Sequence, residues 1–120
     1  MLNGLSKLNI VATTQLTYDY VLESVFGTYL LDPEALKLRL ADLDTAIRIT
    51  AEGLNFSLPE LYNFVGLETK GGNKQSYLSF RRCIYGQQTQ VMLHTLGGEV
   101  VIAQNHQHVN KTIYRLKALS

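Results

Sequence analysis

Residues 77–102 read YLSFRRCIYGQQTQVMLHTLGGEVVI, and the secondary structure assigned to this stretch decides the fold. Apolar and polar residues alternate over residues 77–85, Gly86-Gln87 breaks the alternation, and it resumes over residues 89–96. A period of two marks a strand with one buried face. Gly97-Gly98 has the composition of a tight hairpin turn, and residues 99–104 continue the pattern. Beyond the polar segment 105–111, residues 112–119 read as a last strand. The expectation is an antiparallel meander of about four strands in the carboxy-terminal half.

The two turns imply a register. Two-residue loops at Gly86-Gln87 and Gly97-Gly98 pair Phe80 with Leu93, Arg82 with Val91, Leu93 with Ile102 and Thr95 with Val100. Directly opposed residues share a face, which gathers Leu78, Phe80, Val91, Leu93, Val100 and Ile102 on one apolar side. The other side then carries Tyr77, Ser79, Arg81, Cys83 and Tyr85 beside Met92, His94, Leu96, Val101 and Ala103. That is too apolar for a face turned only to water.

Upstream the period changes to that of a helix. From Gln15, with Thr14 as N-cap, Tyr18, Val21, Leu22, Val25 and Tyr29 recur at spacings of three and four. Residues 8–12 have the composition of a short strand ahead of it. Asp32-Pro33-Glu34 combines an N-cap, a first-turn proline and an acid at the positive helix end. Leu36, Leu40, Leu43 and Ile47 then predict a second helix that stops at Gly53. Ser57-Leu58-Pro59-Glu60 is a capping box, opening a third helix with Leu61, Phe64 and Val65 on its apolar side. The predicted fold is α+β. Two to three amino-terminal helices pack on a carboxy-terminal antiparallel meander, in a single domain spanning residues 1–120.

Composition agrees with a globular chain. Of 120 residues 46% are hydrophobic and 18% charged, enough apolar content for a core without disulfides. Cys83 is the only cysteine, which excludes an intrachain disulfide and favours a reducing compartment. The start Met1-Leu2-Asn3-Gly4-Leu5-Ser6-Lys7 lacks the pattern of a signal peptide, and no apolar run approaches the ~20 residues that span a bilayer. The expectation is a cytoplasmic protein without membrane contact. A formal net charge of +1 lacks the basic excess of a dedicated nucleic-acid binder.

No residue set predicts catalysis, a metal or a cofactor. His106 and His108 have ligand-like spacing, but His94 is too distant along the expected strand to complete a site. Cys83 lacks a base opposite it. Gly71-Gly72-Asn73-Lys74 precedes a strand rather than a helix N-terminus, so it reads as a mobile connector and not as a phosphate cradle. The carboxylates Glu23, Asp42, Asp44, Glu52 and Glu60 read as solvated.

The function expected is therefore that of a non-enzymatic binding or regulatory protein acting through protein contact or homodimerisation. Its candidate contact residues are Tyr77, Arg81, Tyr85, Met92, His94, Leu96 and Val101 on the second sheet face. The alternative is a DNA-binding regulator of winged helix-turn-helix type. It would use residues 57–66 as the recognition helix and residues 70–74 as a basic tip, although that helix has no Arg or Lys. A single-strand platform built from Arg81, Arg115 and Lys117 with Tyr77 and Tyr85 is a further nucleic-acid reading.

Overall fold

The computed structural model describes residues 16–70 and 72–119. The expected strand at residues 8–12 and the Thr14 cap lie outside the described residues. Helix α1 covers residues 17–31. It is α-helical at Thr17–Tyr20, π-helical at Val21–Phe26 and α-helical again at Gly27–Leu31. The wide turn, closed by the Gly27 amide on the Leu22 carbonyl, rotates Val25 and Phe26 into the interior together with Val21, Leu22 and Tyr29. Helix α2, Pro33–Ala41, begins as its sequence predicts. Asp32 accepts from the Ala35 amide, Pro33 occupies the first turn, and Leu36 and Leu40 are buried.

Helix α2 ends at Ala41, short of the expected Ile47. Residues Arg48–Thr50 instead form strand β1, hairpinned to β2, Gly53–Phe56. Gly53 therefore closes a hairpin instead of stopping a helix. Its φ is 150°, and a Cβ there would collide with the Leu116 carbonyl oxygen, so no side chain fits. Helix α3, Leu58–Thr69, starts at the predicted box, with Ser57 accepting from the Glu60 amide. Lys70 ends it in the left-handed conformation.

The largest correction concerns residues 77–96. They form two helices, α4 (Tyr77–Tyr85) and α5 (Gln87–Leu96), and not two strands. Ser76 caps α4 by accepting from the Ser79 amide, Gly86 separates the helices, and Gly97 ends α5 at φ 91°. Gly97 is thus a helix stop with Gly98 as the first residue of a strand, not half of a two-residue hairpin turn. At helical spacing Phe80 and Leu93 are fully buried, whereas Leu78 and Val91 are 54% and 61% exposed. The common apolar sheet face through Phe80, Leu93 and Ile102 does not exist.

The last two strands lie where the pattern places them. Strand β3, Gly98–Gln104, pairs with β4, Ile113–Ala118, and β2 joins β4 on its other side. The antiparallel sheet has the order β1-β2-β4-β3. The α+β class holds, but among the described residues two of the five helices fall in the carboxy-terminal half, and β1 and β2 come from segments read as helix end and loop. Register places Leu54, Phe56, Tyr114, Leu116, Val100 and Ile102 on one face. Phe56 links that face to α1 through Phe26, ring centroids 5.4 Å apart, and to Tyr114 at 6.0 Å. The helices cover this face; its rim at Ile102 stays open.

Candidate functional site

The described part of the connection that precedes α4, residues 72–76, is stitched down on three sides, contrary to its reading as a mobile connector. Asn73 accepts from the Thr17 hydroxyl at 3.0 Å and donates to the Tyr62 carbonyl at 3.3 Å. Gln75 accepts from the Tyr18 amide at 3.0 Å and donates to the Ser79 hydroxyl at 3.0 Å, while its own carbonyl accepts from the Tyr62 hydroxyl at 2.5 Å. Both side-chain amides tie residues 72–76 to α1, α3 and α4, so the start of α4 is held in place.

Helix α4 is also clamped from the opposite direction. Tyr77, Arg81 and Tyr85 repeat every four residues and lie along the β3–β4 hairpin. Asn110 in the hairpin loop accepts from the Tyr77 hydroxyl at 2.5 Å and from Arg81 Nη1 at 3.3 Å. The Arg81 guanidinium lies 5.7 Å from the Tyr77 ring centroid, and the Tyr85 and Tyr114 hydroxyls hydrogen-bond to each other. Burial pushes the Tyr77 hydroxyl above the usual phenol range against the opposing pull of Arg81. Burial, followed by the Tyr85 hydrogen bond, pushes Tyr114 up further. Inward, Tyr77 packs edge-on against Tyr62 at 5.4 Å, and Phe80 lies 5.5 Å from the Tyr62 ring.

The hairpin loop, residues 105–112, has a shape of its own. Residues Val109–Lys111 make a 3₁₀ turn, and the buried Thr112 hydroxyl accepts from the His106 amide and donates to the His106 carbonyl, both at 3.3 Å. The His106 and His108 rings stack with centroids 5.7 Å apart. Among the described residues no group of three or more His, Cys, Asp or Glu side chains is placed to hold a metal.

The seven expected contact residues do not share a sheet face. Tyr77, Arg81 and Tyr85 come together on α4; Met92, His94 and Leu96 lie exposed on α5; Val101 alone is on the sheet, opposite Arg115. The expected recognition helix, residues 57–66, is a core helix, with Leu58, Leu61, Phe64 and Val65 buried. The platform of Arg81, Arg115 and Lys117 is likewise divided. Arg115 pairs with Glu52 at 3.6 Å and accompanies Asn55, and Lys117 pairs with Glu99 at 3.7 Å.

What the near-neutral total conceals is where the charges lie. Residues 1–68 hold nine of the ten acids and four of the eleven Lys and Arg, whereas residues 69–120 hold seven cations and one acid, Glu99. The only histidines also lie in the second segment. Among the described residues Lys70, Lys74, Arg81, Arg82 and Lys111 make no ion pair. They occur on the end of α3, the stitched segment, α4 and the hairpin loop. This charge asymmetry is legible in the sequence, and it is the signal that points to Lys74, Arg82 and Lys111. The acidic segment is held differently. Arg39 reaches Glu68 at 2.5 Å, and Glu68 accepts from Tyr20, whose hydroxyl is pushed up to about 12 by burial and then by that carboxylate.

The chain matches no family model, no characterised protein and no solved structure. Among the described residues no helix is long and apolar enough to cross a membrane.

Proposed function

We propose that the protein is a non-enzymatic regulator that binds double-stranded DNA through α4 and the β3–β4 loop, in the arrangement of a winged helix-turn-helix. The observation that carries this reading is the set of four cations, Lys74, Arg81, Arg82 and Lys111, that make no ion pair among the described residues and lie on or beside α4, in a segment that contains a single acid. Phosphate neutralisation supplies most of the affinity of such proteins, and local charge matters more than the total.

The order of elements supports it. A helix (α3), a seven-residue connection at residues 70–76 and a second helix (α4) are followed by α5 and a β-hairpin whose loop rests on α4. In this reading α4 enters the major groove in place of the core helix α3. Its outward residues are Leu78, Arg82 and Tyr85. Arg82 is the base reader, since a guanidinium donates bidentately to guanine. Lys74, Arg81 and Lys111 contact phosphates, and the hairpin loop lies along the backbone or minor groove.

Fluorescence anisotropy with a mixed-sequence duplex, titrated over a range of salt concentrations, tests this. Three phosphate contacts predict a slope of log K against log salt of about −3, and Lys74→Ala with Lys111→Ala reduces its magnitude by about two. Absence of binding at low salt removes the proposal.

A second reading, contact with a protein partner or a second copy, is favoured by a different observation. An apolar groove lined by Ile84, Tyr85, Val100 and Ile102 opens beside β3, the last strand of the sheet, with Tyr85 51% and Ile102 58% exposed. An edge strand beside apolar side chains is a template for another chain, and here only the Gln90 amide, donating to the Val100 carbonyl at 3.1 Å, is seen to engage the β3 backbone from α5 among the described residues. Light scattering on the wild type and on Ile102→Arg separates the readings. A mass change confined to the variant supports association through β3, and loss of duplex binding in Arg82→Ala without a mass change supports the first.

A further inference from the structure

The groove beside β3 is a cavity of about 280 Å³ with walls from four elements. Ile84 and Tyr85 of α4 line one side, and Val100 and Ile102 of β3 line the other. Tyr114 of β4 ties the lining to the core, because its ring lies 6.0 Å from Phe56, which lies 5.4 Å from Phe26. Among the described residues no charged side chain lines the cavity. An ion entering it would lose hydration and gain no counter-charge.

The polar groups of the lining are few, and most of their capacity is in use. Thr89 Oγ1 donates to the Cys83 carbonyl at 2.6 Å and accepts from the Tyr18 hydroxyl at 2.7 Å. Gln90 Nε2 donates to the Val100 carbonyl at 3.1 Å, while its Oε1 has no donor among the described residues. The Tyr85 and Tyr114 hydroxyls bond to each other, which uses one of the two phenol protons. The other has no acceptor among the described residues. One spare O–H donor and one spare amide acceptor therefore border an otherwise apolar space.

We propose that this cavity binds a small, neutral, largely apolar molecule carrying a hydroxyl or carboxamide, a group that both accepts and donates. At about 30 Å³ for each water-sized group the space suits roughly ten non-hydrogen atoms, near the lower limit for ligand pockets. The Gln90 bond favours this occupant over another chain. A strand added at β3 has to displace Gln90 from the Val100 carbonyl, whereas a molecule in the cavity leaves that bond in place. The inference goes beyond both functional readings and depends on neither.

The probe is 2-naphthol, a neutral two-ring alcohol of suitable size. Its comparisons are 2-naphthoate, which is anionic, and naphthalene, which has no polar group. Titration of the full chain at neutral pH, followed by proton–nitrogen correlation NMR, should show saturable shifts at residues 84–90 and 100–102, with a Kd of about 0.1–1 mM. Naphthalene should bind about two- to tenfold more weakly, the worth of one hydrogen bond, and 2-naphthoate at least about tenfold more weakly. Ile102→Arg places a cation at the exposed rim, so it should weaken 2-naphthol about tenfold and narrow its advantage over 2-naphthoate. Val91→Arg, at an exposed position of α5 outside the cavity lining, should leave binding unchanged. Absence of saturable binding, shifts confined to other segments, equal affinity for 2-naphthoate or unaltered binding in Ile102→Arg overturns the proposal. So does light scattering that shows a dimer dissociating as 2-naphthol is added, since a second copy then occupies the groove. Uptake of 2-naphthol by a protein that binds no duplex removes the DNA reading and leaves the cavity proposal standing.

Discussion

Residues 77–96 and residues 99–104 both invite a strand assignment, yet the first fold as two helices and the second as a strand. What separates them is not periodicity. Tyr77, Phe80, Arg81 and Ile84 also satisfy a helical spacing, as do Thr89, Leu93 and Leu96, so each short segment fits both templates. The helical segments carry end signals, with Ser76 before α4 and Gly97 after α5, and Ile84, Thr89, Val91 and Thr95 are their only β-branched residues. Strand β3 has three consecutive β-branched residues, Val100, Val101 and Ile102, and no cap. In short amphipathic segments the ends and the branching carry more information than the alternation.

Substitutions at buried, exposed and end positions sharpen this contrast, and a titration extends it. Alternation makes Phe80 and Ile102 equivalent members of one face, whereas the fold buries the first completely and leaves the second 58% exposed. Urea denaturation of Phe80→Ala is expected to show a loss of about 3–5 kcal/mol, and Ile102→Ala less than about 1 kcal/mol. Equal losses would restore the common face.

The end signals come next in size. Ser76→Ala removes the acceptor of the Ser79 amide and should cost about 1 kcal/mol. Gly97→Ala forces a side chain into the left-handed region, although nothing lies within 4 Å of the new Cβ, and should also cost about 1 kcal/mol. In a strand neither loss has a cause, so unchanged midpoints for both variants would count against the helices.

The smallest effect is spectroscopic. Tyr20, beside Glu68 at 2.7 Å, and Tyr114, under Tyr85, both have raised hydroxyls. The stability that depends on their neutral forms is complete below pH ~10, the ordinary phenol value, and is lost as pH rises through the folded values. An absorbance titration at alkaline pH should show these two phenols ionising after the exposed ones. Tyr20→Phe and Tyr114→Phe should each remove part of the late phase.

The candidate site was legible in the sequence as a distribution of charge and not as a motif. A total of +1 averages nine acids before residue 69 against seven cations after it. Arg81 and Tyr77 are visible as a pair four residues apart, but their common partner Asn110 is about thirty residues downstream. No local pattern foretells that contact.

The sequence alone determined the starts of α2 and α3, because Asp32-Pro33 and Ser57-Leu58-Pro59-Glu60 satisfy their own backbone amides within one turn. It likewise determined β3 and β4, whose side chains favour extended backbone. Tertiary structure decided the rest. Residues 48–56 become a hairpin because β4, some sixty residues later, supplies the hydrogen bonds for β2. Residues 77–96 become helical where Phe80 and Leu93 meet the core. An ambiguous segment takes the conformation whose apolar face finds a cover, and that cover comes from elsewhere in the chain.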